Sequence, residues 1–530
     1  MSLTFSRVQK LTTNGMSDYS LDNKRIAKNT ILLFFRMFIV LAITLYTSRV
    51  VLNALGVEDY GVYNVIAGFV SMFSFLNASF SSTIQRFYNY SLGKGEVRGV
   101  SEVYSVSLIV MIILAVVLIV ASEVLGLWFI ENKLVVDPQR LTAARWLLQA
   151  SICSLFFLFI QMPFSSAIMA KEKMDYYAFV GIIEVLLKLS IAIIVSHFSH
   201  DKLILYSWLL VIVAFVNFLF YFIYAKNKFP DLRFSLVKEI KVYLNIFQFS
   251  GWSALSGVSQ IVKNQGLNMV LNVFFGPVVN AARGIAFQVK SAMLSFVSNI
   301  ITASRPQIVE SYVAGNIERT KRLMFTISKI SYVMLLVIAL PLSLNIDYVL
   351  TLWLGTNVPD YTGVFTICVI VTTLVDNLNS PIQTVVYAEG KIAWYSIITS
   401  TLSILVYPTA YCALRIGCTP ISVFKISFLF SILIQIVCMI CLQRTAKGFS
   451  AMDYFIKVMI PICIVTILSS VCILGITYIF ADGFVRLFIS ILSSIIIVCI
   501  ITYWLGLNYK ERQLCKSILR GAYQRVVRHK

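Results

Sequence analysis

VLNALG at residues 51–56 and VLNVFFG at residues 270–276 decide how this chain is read. Each closes a long apolar run, and the second copy starts at Val270 where the first starts at Val51. The match extends outward from them. Arg305 follows Arg86 at the same offset, and Pro163, Ala170, Lys173 and Tyr177 return as Pro381, Ala388, Lys391 and Tyr395, at an offset shorter by one. Several matches at nearly one spacing, on corresponding apolar segments, imply an internal duplication. Six apolar segments separate the copies. An even number means that both enter a membrane in the same direction, so the expected arrangement is a parallel repeat about an axis along the membrane normal.

The rest of the chain fits that frame. Of 530 residues, 59% are hydrophobic and 13% charged, against about 25% charged in soluble domains. Apolar segments of helical length are expected near 29–55, 60–88, 102–130, 141–169, 176–197, 203–224, 244–275, 279–310, 323–349, 362–388, 393–414, 421–443, 455–480 and 486–507. The fold class is therefore all-α: a polytopic membrane protein of about 14 transmembrane helices, as two six-helix lobes plus two C-terminal helices. The expected division is a polar tail (1–28), an N-lobe (29–225), a basic linker (226–243), a C-lobe (244–443), the last two helices (455–507) and a basic tail (508–530). The polar segment 1–28 lacks the apolar core of a cleaved signal peptide.

Loops on one side of this arrangement hold 27 Lys and Arg, and those on the other hold five. The positive-inside rule then places both termini in the cytoplasm. The net charge of +20 follows from the same asymmetry, so no nucleic-acid partner is expected. The basic tail reads as an amphipathic segment on anionic lipid. Cys438 and Cys441, inside VCMICL, read as buried thiols and not as a redox or zinc site.

No catalytic pattern is present. There is no G-x-x-x-x-G-K-[ST], no D-x-D and no H-E-x-x-H, and the three histidines (His197, His200, His529) lie in loops or the tail. The chain is not expected to be an enzyme, and no cofactor or metal is expected. Short connections leave no room for an appended catalytic domain, which argues against a membrane-embedded glycan polymerase or ligase.

The informative residues are polar groups inside apolar helices. Asn64, Ser71, Ser74, Ser82, Gln85 and Asn89 share one face of the second helix. Ser253, Ser256, Gln260, Lys263, Asn264, Asn268 and Asn272 line the seventh, and Gln288, Ser291, Ser295, Ser298, Thr302 and Arg305 the eighth. Lipid does not solvate such stripes, so they face water or a partner helix. Charge is lopsided: Arg36, Arg49, Arg86, Lys188, Lys263, Arg283, Lys290, Arg305 and Lys329 against Glu184 and Asp376. Arg86, Arg305 and Lys329 lie near cytoplasmic ends and are expected to snorkel. Glu184 and Lys188, four apart, neutralise each other or serve ion coupling. Asp376 is an ion or proton site or the partner of a nearby cation. Lys263, Arg283 and Lys290, with Gln260, Asn264 and Gln288, predict a hydrated cavity that draws in an anion. Arg36 and Arg49 are thirteen positions apart, about 20 Å along the helix and about 140° around it. They read as one cation near each mouth of that cavity, with snorkelling the alternative for each.

The stretches RVVLNALGVEDYGVYNVIAGFVSMFSFLNASFSSTIQRFYNYSLGKG (49–95), PFSSAIMAKEKMDYYAFVGIIEVLLKL (163–189), GPVVNAARGIAFQV (276–289) and ITASRPQIVESYVAGN (301–316) resemble the Wzx-type polysaccharide-unit flippases. These belong to the multidrug/oligosaccharidyl-lipid/polysaccharide (MOP) exporter superfamily, whose members include the MATE multidrug exporters. The resemblance implies a MATE-like fold in a bacterial cytoplasmic membrane. It further implies a flippase that moves a polyprenyl-pyrophosphate-linked oligosaccharide outward by alternating access, for O-antigen, lipopolysaccharide or capsular polysaccharide biosynthesis. A Na+ or H+ gradient is the candidate drive, membrane lipids are partners, and other polysaccharide-assembly proteins are candidate partners. The related lipid II flippases carry cavity arginines on helices 1 and 8, which implies Arg36, Arg49 and Arg283 as counterparts. The alternative transport reading is a cation-coupled multidrug exporter. Such exporters have acidic groups in the N-lobe, and none occurs between Asn29 and Gly56 or between Gly61 and Gly95.

Overall fold

The structure is a computed structural model. It describes residues 2–93, 97–171, 173–198, 201–235, 237, 239–389, 392–508 and 511–513. Among them the regular structure is entirely helical. In order run α1 (Ser2–Ser71), α2 (Ser74–Gly93), α3 (Val97–Asn132), α4 (Leu141–Ile160), α5 (Met162–Ala170), α6 (Met174–Ser196), α7 (Lys202–Lys228), α8 (Ile240–Phe275) and α9 (Pro277–Val313). Then follow α10 (Ile317–Leu344), α11 (Ile346–Leu354), α12 (Thr362–Asn377), α13 (Asn379–Glu389), α14 (Ile392–Arg415), α15 (Ile421–Thr445), α16 (Ala451–Tyr454), α17 (Ile460–Thr477) and α18 (Phe484–Ile501).

Among the described residues, eleven helical stretches are long and apolar enough to cross a bilayer, and the chain is a multi-pass membrane protein. The other three predicted spans are helical as well: the second as the end of α1 plus α2, the seventh as α8, the eighth as α9. Those three carry the polar stripes, which is what lowers their hydropathy.

The duplication is visible in where helices bend. Gly56 interrupts α1 at φ 80°, and Gly276 separates α8 from α9 at φ 78°. An L side chain at such an angle meets its own carbonyl, at a cost of about 1–2 kcal/mol, so glycine makes both turns. Shifted by the offset that carries Pro163 to Pro381, α5, α6 and α7 fall at 380–388, 392–414 and 420–446, over α13, α14 and α15. The sequence predicts continuous fourth and tenth helices. Each is broken instead, at Gln161 and at Leu378, two to three residues before Pro163 and Pro381. Proline has no N–H to give and its ring crowds the preceding turn, so a break falls just ahead of it.

The chain forms two compact units: Met1–Asp59, Ile66–Lys133 and Asp137–Gly257 in the first, and Tyr60–Val65, Leu134–Val136 and Val258–Lys530 in the second. In the first unit α4 packs on α3 and α7, and α5 on α2. The apolar solvent of a bilayer gives no hydrophobic drive for this, so close packing and interhelical hydrogen bonds hold helices together. Phe164 meets Tyr104 and Phe222 edge-on at 5.6 and 5.3 Å, the geometry that ring quadrupoles favour. Where α4 begins, Arg140 is ion-paired with Asp59 of α1 and, at 2.8 Å, with Asp201 at the start of α7.

In the second unit α9 packs on α10, α12 and α13, α14 on α15, and α17 and α18 on each other and on α10. Phe365 stacks on Phe424 at 4.2 Å between α12 and α15. One expectation is corrected here. Lys329 of α10 does not snorkel: it is 1% exposed, and its Nζ donates to Glu511 at 2.9 Å. Glu511 also accepts from Thr326 Oγ1 at 3.0 Å and from the Asn508 backbone N–H at 2.7 Å. A carboxylate just beyond the last helix therefore satisfies a cation that lies in an apolar segment.

Candidate functional site

In the second unit, α8 and α9 run away from the Gly276 turn, with Lys263 thirteen residues before it and Lys290 fourteen after. At about 1.5 Å of rise per residue both lie about 20 Å from that turn. That is farther than a lysine stem reaches, so neither snorkels toward the turn. Lys263 is 7% exposed. It lies within electrostatic range of Lys290 and of Asp376 on α12. Lys290 Nζ is 3.8 Å from Asp376 Oδ2, an ion pair without hydrogen-bond contact, and both side chains are partly open. Among the described residues, neither a hydrogen bond nor an ion pair holds the Lys263 ammonium.

Arg283, one turn of α9 closer to Gly276 than Phe287, is 6% exposed. Its Nη2 donates to the backbone carbonyl of Asn264 on α8. Its guanidinium carbon sits over the Phe287 ring, 4.0 Å from the centroid. The Lys290 ammonium lies over the same ring at 5.6 Å. Among the described residues no carboxylate forms an ion pair with Arg283. A guanidinium has five N–H donors, so a buried one that meets a single carbonyl and a ring face keeps most of its capacity for an anion.

Amide side chains build the frame around these cations. Asn280 Nδ2 donates to the Asn268 carbonyl and side-chain oxygens at 2.7 and 2.8 Å. Asn268 Nδ2 donates to the Asn64 carbonyl at 3.1 Å, and Gln288 Nε2 to the Tyr60 hydroxyl at 2.6 Å. Gly284 permits the approach: a Cβ there would stand 2.7 Å from Asn64 Oδ1. The side-chain oxygens of Asn280 and Gln288 are buried without a partner among the described residues.

Lys263, Asn264, Arg283, Gln288, Lys290 and Asp376 thus belong to one unit. Asn264 contributes its backbone carbonyl. Glu184 and Lys188 belong to the first unit, where they pair at 2.6 Å and Glu184 also accepts from Asn217 of α7 at 2.8 Å. Arg49 is half-buried in α1. The side chains of Arg36, Gln260 and Arg86, and the tail after position 513, lie outside the described residues. Arg305 is exposed. Of the serines predicted on that α9 stripe, Ser295 and Ser298 donate to carbonyls three residues back, as does Ser304 nearby, a bond a helical hydroxyl makes within its own helix.

Sequence reasoning misses Phe287, Asn280 and Tyr60. For Phe287 a signal exists, because Arg283, Phe287 and Lys290 fall at i, i+4 and i+7 and share a face. The repeat also marks the cluster as one-sided. By the offset of the VLN motifs, or that of Gly56 and Gly276, Lys263 corresponds to Thr44 or Ile43, Arg283 to Asn64 or Tyr63, and Lys290 to Ser71 or Val70. By the offset of Pro163 and Pro381, Asp376 corresponds to Leu158. A duplicated scaffold does not require these charges.

No protein-family model matches the chain, and no curated protein matches it. Solved structures do. An inward-facing multidrug resistance MATE family transporter of the MOP superfamily superposes with a TM-score of 0.61 at 15% identity, over 78% of this chain and 99% of that one. The lipid II flippase MurJ in an inward closed conformation gives 0.65 at 16% identity, over 90% and 98%. A MOP superfamily transporter from Pyrococcus furiosus, described as having a binding pocket of reverse polarity, gives 0.55 at 14% identity, over 81% and 96%. The fold is that of the MOP-superfamily transporters. Within this MOP fold, α8 and α9 open the second copy of the repeat, and the buried cations sit on those two helices.

Proposed function

We propose that the protein is a flippase for polyprenyl-pyrophosphate-linked oligosaccharides in a bacterial cytoplasmic membrane, working by alternating access with both termini in the cytoplasm. One observation carries the reading: in the second unit Lys263 and Lys290 share a single carboxylate, Asp376, and Arg283 is buried with no carboxylate paired to it among the described residues. A buried charge that its surroundings do not neutralise is costly, by at least about 2.5 kcal/mol in a helix centre. Such a charge is retained where a ligand of opposite sign completes it. A diphosphate suits the set, because Arg offers paired N–H donors and Lys a point charge. A cationic drug would meet like charge.

Two further points support this reading over a twelve-helix exporter. The fold similarity to a lipid II flippase spans 90% of the chain, against 78% for the MATE transporter. The chain also continues through α17 and α18. Saccharide assembly for O-antigen, lipopolysaccharide or capsule is the expected context. A Na+ or H+ gradient is the proposed drive, with Asp376 the acid placed to sense it. Arg36 and Arg49 of α1 are proposed to meet the diphosphate at other stages of the cycle. The test is a competition in proteoliposomes. A fluorescent polyprenyl-diphosphate glycan should exchange between leaflets, and a cationic dye should neither be transported nor slow that exchange. Dye transport without glycan-lipid exchange would favour the exporter reading.

A further inference from the structure

We infer that Phe287 is a positioning residue for the anion site, holding Arg283 and Lys290 on one aromatic ring so that they meet a diphosphate as a preset pair. The inference rests on the proposed anion site and adds to it the question of how two like charges stay side by side. Arg283 and Lys290 are seven residues apart on α9, hence on one face, and repel each other in a medium of low dielectric. One carboxylate, Asp376, stands 3.8 Å from Lys290, and none pairs with Arg283 among the described residues. What both cations share is the Phe287 ring, whose centroid is 4.0 Å from the guanidinium carbon and 5.6 Å from the ammonium.

An aromatic face carries negative quadrupole density, so a desolvated cation over it is attracted and held. Such a contact differs from a salt bridge in what it leaves free. A guanidinium donates its hydrogen bonds in its own plane, whereas the ring takes a face. The ring can therefore fix Arg283 without using the paired N–H edge that a phosphate needs. The Asn264 carbonyl takes one N–H and sets the rotation of the group about its stem. For Lys290 the ring supplies a partner that persists when a diphosphate displaces Asp376. The ring is itself held, because Phe287 packs with the cluster that includes Val279, Ala282 and Ala286 of α9 and Phe365 of α12. The site thus holds two cations on one ring and leaves most of the guanidinium's donors open to an anion. Ordering them in advance removes an entropic cost from binding.

Purified full-length protein in detergent provides the test, with inorganic pyrophosphate as the probe and its Kd as the readout. Phe287 is replaced by mono-, di- and trifluorophenylalanine, which keep the shape of the ring and drain its face stepwise. Affinity should fall at each step and reach about tenfold weaker in the trifluoro variant, within the range of one cation–π contact. Phe287→Leu should match the trifluoro variant, and Phe287→Tyr should stay within about twofold of the parent. Affinity that is flat across the fluorinated series, with Phe287→Leu alone impaired, would show that the ring only fills space and would overturn the role. A parent protein that fails to bind pyrophosphate overturns both the anion site and this role. Graded pyrophosphate affinity, in a protein that does not exchange glycan lipids, upholds the role of Phe287 and overturns the proposed substrate.

Discussion

In the proposed anion site the cations are Lys263, Arg283 and Lys290: the first two are buried and Lys290 is partly open beside Asp376, whereas the buried Lys329 is neutralised by Glu511. Arg305 is exposed and follows α9 toward its end, where a long stem brings its charge to water. Neutralising a buried, charged hydrogen-bonding group costs about 1.5–3 kcal/mol of interaction with its ligand, which is about ten- to a hundredfold in affinity. Arg283→Gln and Lys263→Met should each weaken pyrophosphate binding within that range, and Arg305→Gln should change it less than about twofold, as measured by titration calorimetry. Asp376→Asn should act in the opposite direction, strengthening pyrophosphate binding, because it removes the carboxylate that competes for Lys290. The charges themselves are legible in the sequence, since a Lys or Arg in an apolar helix stands out. Their surroundings are legible only in part. Spacing places Phe287 on the face of Arg283 and Lys290, but that Asn264 serves through its backbone carbonyl follows from how α8 and α9 approach each other, which no periodicity records.

At the scale of elements, proline and glycine shape the helices. The turns at Gly56 and Gly276 are visible as a repeated motif, and their left-handed backbone explains why glycine ends both copies. Gly56→Ala and Gly276→Ala should each lower stability by about 1–2 kcal/mol, read as a lower midpoint of thermal unfolding in detergent. The breaks before Pro163 and Pro381 are harder to foresee, although the two prolines form a repeat pair. A proline inside an apolar run is read as a kinked span as readily as a broken one. Lys329 shows the opposite failure. Its expected escape to the interface rests on sequence position alone, whereas its partner, Glu511, is far along the chain within a segment that reads as a basic tail. Lys329→Met should be strongly destabilising, by about 3–5 kcal/mol, because it strands Glu511 as a buried charge. The double change Lys329→Met with Glu511→Leu should recover much of that loss, which a double-mutant comparison of unfolding midpoints would detect.

At the scale of the whole molecule, duplication and specialisation are separable. The helix order and the bends recur at a nearly constant offset, whereas the charged cluster belongs to the second copy alone. A fold shared with drug exporters and a lipid II flippase cannot by itself select the substrate. In the proposed function the sign of the buried charge does so. The most direct measurement is the rate at which a fluorescent polyprenyl-diphosphate glycan exchanges between the leaflets of liposomes that contain the protein. Exchange should run well above that of protein-free liposomes, fall at least about tenfold in Arg283→Gln, in line with the loss of a charged hydrogen bond, and be unaffected by Arg305→Gln. Exchange no faster than in protein-free liposomes, or equally fast with Arg283→Gln, would contradict the proposed function.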